Sequence, residues 1–297
     1  MSISIFNIKK WYHMLRGDSI LHVRQGKGKY YNKEKLQGYY NDLTNKVSNL
    51  QKIDEKGLPL TLFDDNELRY FPIAIFQYGL GAYDKYIETN DRSYLDIAIK
   101  CADWGINNQE KSGGWKNFEY EFPNSPYSSM CQGEGISLLL RMYIETNKEL
   151  YKKCAKQAFE FLIYAGIDIG ITKNNEKELF FYEFQDQPVV LNGWIFTIFG
   201  LYDYLLVFND PVVKIIYDKT IKTLENHIND FELNFWSKYN ERQLVASPFY
   251  HDLHIAQLSV LYDLTGIDIF KEKTIRWEKY KNNRIYKYKA FMLKILQ

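Results

Sequence analysis

The residues best suited to chemistry gather near the C-terminal end of the chain. Phe249–Leu258 reads FYHDLHIAQL, setting Tyr250, His251, His254 and Gln257 at the start of an apolar, helix-like run, and YNER (Tyr239–Arg242) supplies a second tyrosine and an arginine just upstream. Tyrosine is a poor base at neutral pH, with an unperturbed pKa of about 10. A nearby cation favours the phenolate and brings that value down. Phenol and guanidinium together suit removal of the weakly acidic proton alpha to a sugar carboxylate. The product of that step is a dianionic enolate, so the carboxylate must first be neutralised by an arginine or a protonated acid. Reprotonation of the opposite face gives epimerisation; departure of the ring substituent gives elimination. Two carboxylates in another loop, Glu183 and Asp186, could take part. Glu183 lies among Phe180, Phe181, Tyr182 and Phe184, and a carboxylate buried in such a run needs a partner.

The elements that must position these residues repeat along the chain. YIETN occurs at Tyr86–Asn90 and again at Tyr143–Asn147, each time closing an apolar run and preceding a second helical pattern, at 93–107 and 150–165. Two further units, 190–208 with 211–228 and 251–264 with 269–280, share the plan. First helices beginning near Pro72, Ser128, Val190 and His251 give a period of roughly 60 residues. Within a unit apolar residues recur at helical spacing, as in Ile136, Leu139, Leu140 and Tyr143. Asn90-Asp91, Asn147, Asn209-Asp210-Pro211 and Gly266-Ile267-Asp268 supply N-caps and turns between paired helices. The first helix of each pair is the more apolar and carries glycines (Gly79, Gly81, Gly133, Gly135, Gly193, Gly200). A helix-interior glycine costs roughly 1 kcal/mol against alanine, so close approach of inner helices must offset it. These features predict an all-α fold, an incomplete (α/α) toroid of about four helical hairpins over residues 70–297. Residues 1–69 form an irregular lead-in that wraps it, with one helix near 33–50.

Loops leading into the inner helices then open at one end and carry Tyr70 with Arg69, Tyr127, Tyr182 with Glu183, and Tyr250 with His251. Such loops are where function concentrates. Tyr70 and Tyr127 could equally staple the helices they precede. A lone His254 would be a hydrogen-bonded core histidine; its pairing with His251 argues for a site. Gly113–Trp115 is a turn whose ring could serve stacking or structure.

Composition narrows the classes. The net charge is +1, and no basic stripe stands out beyond 27–35, which argues against nucleic-acid binding. Aromatic residues make up 17%, with 25 tyrosines, and fit a tyrosine-rich core as well as a cleft whose rings stack on sugar faces. Cys101, Cys131 and Cys154 are odd in number and lie in helical patterns, so they read as buried thiols in a reducing compartment. No CxxC or HExxH spacing supports a metal site. No run reads as a signal peptide or a bilayer span, which predicts a soluble, cytoplasmic protein.

Taken in order, YFPIAIFQYGLGAY, NQEKSGGW, YSSMCQGEGISLLLRMY, VLNGWIFTIFGLYDY, YNER and YHDLHIAQL resemble the C-terminal catalytic domain of the D-glucuronyl C5-epimerases, which act on heparosan and heparan sulfate. The resemblance runs from about Tyr70 to Tyr280 and looks like the short bacterial form, without the large all-β segments of the animal enzymes. It implies that Tyr239 and Tyr250 are the catalytic tyrosines, that Arg242 binds substrate, and that Glu183 matches the glutamate of the family's EEY motif. A third family tyrosine falls on Phe184, which cannot ionise; Tyr182 is the neighbour that could replace it.

The expectation is therefore a polysaccharide C5-epimerase converting glucuronate to iduronate without cofactor or metal. Arg242, with protonated Glu183, neutralises the carboxylate, while Tyr250 and either Tyr239 or Glu183 serve opposite faces as base and acid. Gln77, Tyr127, Gln132, Asn192, His251 and His254 line the cleft. The partner is an acidic polysaccharide, with no nucleic acid and no membrane span, and the aromatic lead-in could serve a homodimer. A polysaccharide lyase on the same toroid, a hydrolase using Glu183 and Asp186, and a non-catalytic acidic-glycan-binding protein are the alternatives.

Overall fold

The computed structural model describes residues 12–13, 22–48 and 52–297; most of the opening segment, in which no signal peptide is expected, lies outside them. The fold is all-α, made of the helical hairpins from which (α/α) toroids are built. Two compact units divide the described residues. One holds Gly28–Val189 and Gly193–Thr223; the other holds the N-terminal residues to Lys27, Val190–Asn192 and Leu224–Gln297.

In the larger unit a short helix α1 (Thr44–Ser48) and three small strands, β1 (Lys52–Ile53), β2 (Pro59–Leu62) and β3 (Leu68–Arg69), precede the hairpins. The first pair is α2 (Pro72–Thr89) with α3 (Arg92–Asn108), and the second α4 (Ser129–Thr146) with α5 (Glu149–Glu160). α2 packs on α4 as well as on α3, making them the inner helices. A π-helical turn, Phe161–Ala165, and α6 (Gly166–Ile169) follow α5, and a hairpin of β4 (Thr172–Asn174) and β5 (Leu179–Phe181) leads on. The third pair is α7 (Leu191–Phe208) and α8 (Pro211–His227); Tyr202 and Tyr217 join them ring to ring at 5.3 Å. The smaller unit holds α9 (Pro248–Thr265), which packs on α10 (Asp268–Asn282), and α11 (Arg284–Leu296), which packs on α10.

Hairpin positions follow the repeat, with corrections at their ends. Asn90 and Asn147, expected to begin helices, instead close α2 and α4 in the left-handed conformation, with φ of 57° and 55°. A short polar side chain tolerates that geometry, and each backbone N–H then caps the carbonyl of the YIETN tyrosine. Asp91 does act as an N-cap, accepting from the Ser93 N–H at 2.9 Å. Gly266 likewise ends α9, and Ile267 stands at the N-cap of α10 without a side-chain cap. The helix expected near 33–50 shrinks to Thr44–Ser48, because the preceding stretch is held in an irregular, bent course by distant partners. There the Tyr39 N–H donates to Asp84 and the Gly28 N–H to the Tyr40 carbonyl. The fourth hairpin begins at Pro248, not His251, with the Ser247 hydroxyl capping Tyr250 N–H. α11 was not anticipated at all.

Glycines at the inner helices do serve close approach. A Cβ on Gly133 would stand 2.7 Å from the Thr197 Cα, and one on Gly200 would stand 2.4 Å from the Gly133 carbonyl oxygen. α4 and α7 therefore touch backbone to backbone. α7 also corrects the expectation that no run could span a bilayer: it is long and apolar enough by length and composition, with 72% of it buried in the fold. The three cysteines are free and buried, as expected.

Candidate active site

Each unit presents its own share of the chemistry-bearing residues. In the smaller unit the chain between Phe231 and Ser247 folds back on itself. Tyr239 N–H donates to the Leu244 carbonyl at 2.7 Å, Ala246 N–H to Ser237 at 3.0 Å, and Lys238 N–H to Phe231 at 2.8 Å. Arg242 thus sits exposed at the tip of a tight loop, with Tyr239 half-buried at its base. α11 braces the loop from below. Ala290 and Leu293 pack with Phe235, Trp236, Val245 and Tyr250, and the Gln297 side chain bonds Val245 N–H and the Gln243 carbonyl. That explains a terminal helix whose sequence carries no chemistry.

Tyr239 and Tyr250 meet, with ring centroids 4.8 Å apart. A pyranose does not fit between rings in van der Waals contact, so these two rings cannot sandwich a sugar; only their hydroxyls could reach one. His22, far upstream and unmarked by any motif, stands edge-on to Tyr250 at 6.0 Å and to Phe249 at 5.1 Å.

The histidines are both fully buried. His251 stacks on Trp236 at 3.7 Å, its Nε2 lies 3.1 Å from the Trp277 carbonyl oxygen, and its Nδ1 lies 2.8 Å from Ser237 Oγ. Both ring nitrogens are committed, so the substrate-binding role expected of His251 gives way to a structural one. Burial holds its pKa well below the usual value. His254 Nδ1 lies 3.0 Å from the same Ser237 Oγ, while its Nε2 is buried with no partner; burial lowers its pKa to about 3. Asn192 is buried too. Its carbonyl accepts from Gln257 Nε2 at 3.2 Å, and its side-chain Oδ1 has no partner.

In the larger unit Glu183 follows β5 and is buried, and burial pushes its carboxyl up to about 8. Its Oε2 has no hydrogen-bond partner. A Cβ at Gly193 would come within 2.8 Å of that oxygen, so only glycine leaves the carboxyl its place. Sequence reading missed a second acid. Glu134 on α4 is fully buried and also pushed up to about 8, by burial first and then partly by the charge of Glu183. Its Oε1 accepts from Gln77 Nε2 at 2.7 Å, and its Oε2 is unpartnered. Lys46 on α1 acts on Glu134 electrostatically, and burial lowers its pKa. A buried glutamate on an apolar inner helix was a readable signal, since such a group needs a partner.

Other expected site residues are engaged within the fold. Gln132 accepts from Trp115 N–H at 3.1 Å and donates to the carbonyls of Trp115 and Ser128, clamping the Gly-Gly-Trp turn. Trp115 is buried, with its indole N–H on the Gly105 carbonyl, so its ring belongs to the core and not to a stacking surface. The Tyr127 hydroxyl donates to Glu110 and that of Tyr70 to Asp54, while Arg69 pairs with Asp65. Tyr182 is half-buried, and its backbone carbonyl receives Ser129 N–H. Phe184 stacks on Phe118 at 4.7 Å, a hydrocarbon contact. Asp186 is exposed in a left-handed turn. Among the described residues no cluster of potential metal ligands occurs.

Several known proteins are similar to this chain. The D-glucuronyl C5-epimerase of Caenorhabditis elegans is 24% identical over 209 residues, covering 61% of this chain and 34% of that protein. An uncharacterized protein of Methanocaldococcus jannaschii is 25% identical over 176 residues, covering 56% of this chain and 57% of that protein. The chain thus spans about a third of the first relative and a little over half of the second. Among solved structures, an unsaturated glucuronyl hydrolase of a Bacillus species, responsible for glycosaminoglycan degradation, aligns with a TM-score of 0.45 and 13% identity, over 73% of this chain and 61% of that one. The family profile described as D-glucuronyl C5-epimerase C-terminus matches residues 109–279, more than half of the sequence. The chain belongs to that D-glucuronyl C5-epimerase C-terminal family.

Proposed function

We propose that the protein is a polysaccharide uronate C5-epimerase that inverts D-glucuronate to L-iduronate within a polymer such as heparosan. The observation that carries this reading is the family match over 109–279, which encloses Glu183, Tyr239, Arg242 and Tyr250. Arg242 binds and neutralises the substrate carboxylate, and its exposed position at a loop tip suits it to meet a polymer. Tyr250 abstracts or returns the C5 proton. Either Tyr239 or Glu183 is the second proton carrier in this reading. A carboxyl neutral near pH 7 can donate that proton. The substrate carboxylate itself acidifies C5, so the reaction draws on no cofactor, and the setting we propose is the cytoplasm.

The test is incubation with heparosan in heavy water followed by NMR of the uronates. Deuterium at C5 together with iduronate is the expected result. An unsaturated uronate would establish a lyase. Binding without exchange would favour a glycan-binding protein, the reading to which the loss of a phenol at Phe184 lends weight.

A further inference from the structure

The last helix carries two apolar faces. Tyr286, Ala290 and Leu293 turn inward and pack in the cluster of Phe235, Trp236 and Val245. Asn283 Oδ1 fixes the start of the helix, accepting from the N–H groups of Ile285 and Tyr286 at 3.0 and 3.2 Å. A helix whose core face is satisfied in this way is expected to be polar elsewhere. α11 is not. Ile285, Tyr288, Met292 and Leu296 recur at i, i+3, i+7 and i+11, which sets them on one face, and they are between 38% and 75% exposed. At about 100° per residue, Arg284 and Lys289 border this stripe on its two sides. Lys287 and Lys294 complete the charges of α11, which holds no acidic residue. The surroundings are basic as well: residues 271–297 hold nine basic and two acidic residues, while the whole chain is only +1. On α10, Lys273 and Arg276 meet Glu232 and Lys281 meets Asp252, so the charge of that helix is largely balanced. α11 has only cations of its own.

We propose that α11 docks on the surface of an anionic phospholipid bilayer, with Ile285, Tyr288, Met292 and Leu296 entering between headgroups and Arg284 and Lys289 meeting lipid phosphates. Lys287 and Lys294, further round the helix, add attraction within a Debye length of the surface. An apolar stripe bordered by cations is the pattern of a helix that lies in the plane of a membrane interface. The other occupants fit less well. A second copy laid stripe to stripe would bring two all-cationic helices together. An acidic polysaccharide offers carboxylates to the cations but nothing to Ile285, Met292 and Leu296. A protein groove would have to enclose the helix, whose inner face is already packed. A flat, fluid, anionic surface is what a half-embedded helix can meet. The Gln297 side chain bonds the Gln243 carbonyl at 2.6 Å, so docking would hold the Arg242 loop near that membrane. The inference rests on no part of the epimerase reading.

The experiment is sedimentation of the full chain with vesicles of phosphatidylcholine and phosphatidylglycerol mixed about 2:1, against vesicles of phosphatidylcholine alone. The protein should bind the mixed vesicles, leave the neutral ones, and be released as salt rises from about 0.1 to 0.5 M. Arg284→Gln and Lys289→Gln should each lower the partition coefficient about fivefold. Ile285→Gln with Leu296→Gln should lower it about tenfold. Ile215→Gln, an exposed apolar position on α8, should leave it unchanged. The altered α11 side chains are exposed, so the variants should keep the wild-type circular dichroism. Tyr288→Trp supplies a reading that does not depend on loss: its added emission should shift to the blue with mixed vesicles only. No binding to mixed vesicles, or binding that the stripe variants leave intact, would overturn the proposal. A wild-type dimer in sedimentation velocity that Leu296→Gln dissociates would overturn it in favour of a second copy. Stripe variants that weaken heparosan binding to the same extent would overturn it in favour of the polymer.

Discussion

Tyr250 packs against Tyr239, Phe249 and His22 through its ring, so Tyr250→Phe keeps those contacts and deletes only the proton carrier. C5 deuterium exchange should then fall about 10²–10⁴-fold, the usual worth of a positioned acid–base group, with polymer binding retained. Full exchange in that variant would remove Tyr250 from the mechanism. Arg242 offers the complementary case. It is exposed at a loop tip, so Arg242→Ala should leave stability within about 0.5 kcal/mol while raising KM for the polymer. Glu183 and Glu134 make a prediction about pH. Both have folded-state values raised to about 8 by burial, above their unfolded values near 4.3. Between those values the folded state holds protons that the unfolded state has released, so stability is fully present below the lower value and falls as pH rises toward 8. Glu134→Gln removes one ionisation, and its stability relative to wild type should therefore rise by about 2–3 kcal/mol between pH 6 and 9. Urea denaturation at the two pH values checks this. If Glu183 acts as a neutral acid, exchange activity should also decline above about pH 8, and in Glu183→Gln it should be lost at every pH.

At the scale of elements, the α4–α7 crossing is the sharpest constraint. Gly200→Ala would drive a methyl against the Gly133 backbone, which cannot move aside as a side chain would. The expected destabilisation is about 3 kcal/mol, at the upper end of ordinary overpacking, measured by urea midpoint. A cost below about 0.5 kcal/mol would show that the helices can slide apart. Repeats and turns made these helices legible from the sequence, because the 3.6-residue period and the glycines were both local signals. The C-terminal helix was not legible as a functional element. Its apolar residues (Ala290, Leu293) matter only because Phe235 and Val245, far earlier in the chain, lie against them.

Across the larger unit, one buried ion pair ties the N-terminal segment to the hairpins. Arg141 on α4 meets Asp203 on α7 at 2.5 Å, both fully buried, and donates as well to the carbonyls of Gln37 and Gly38. Tyr40 adds its hydroxyl to Asp203 at 2.7 Å. Asp203→Asn would strand the guanidinium in the core, with a cost of about 3–5 kcal/mol. Asp218→Asn breaks the exposed pair with Lys214 and should change stability by under about 1 kcal/mol. Similar losses in the two variants would mean that the guanidinium is not isolated from water. This pair also accounts for the failure of the expected 33–50 helix. The backbone there bonds to Arg141 and Asp84 from distant helices, and tertiary partners override local propensity.

The sequence by itself determined the hairpin repeat, the identity of the aromatic and charged loop residues, and a family resemblance whose motifs fall in order along the chain. These are properties of neighbours in the chain, and periodicity and caps report them. Tertiary structure alone decided which polar groups remain available. Gln132 and His251 looked like ligand residues, yet backbone carbonyls and a serine hydroxyl absorb both of them. Glu134 drew no notice on an apolar helix, yet it keeps an unpartnered oxygen. The physical reason is that a polar side chain's role depends on whether its hydrogen bonds are already made, and the partners that make them are set by the fold rather than by sequence spacing.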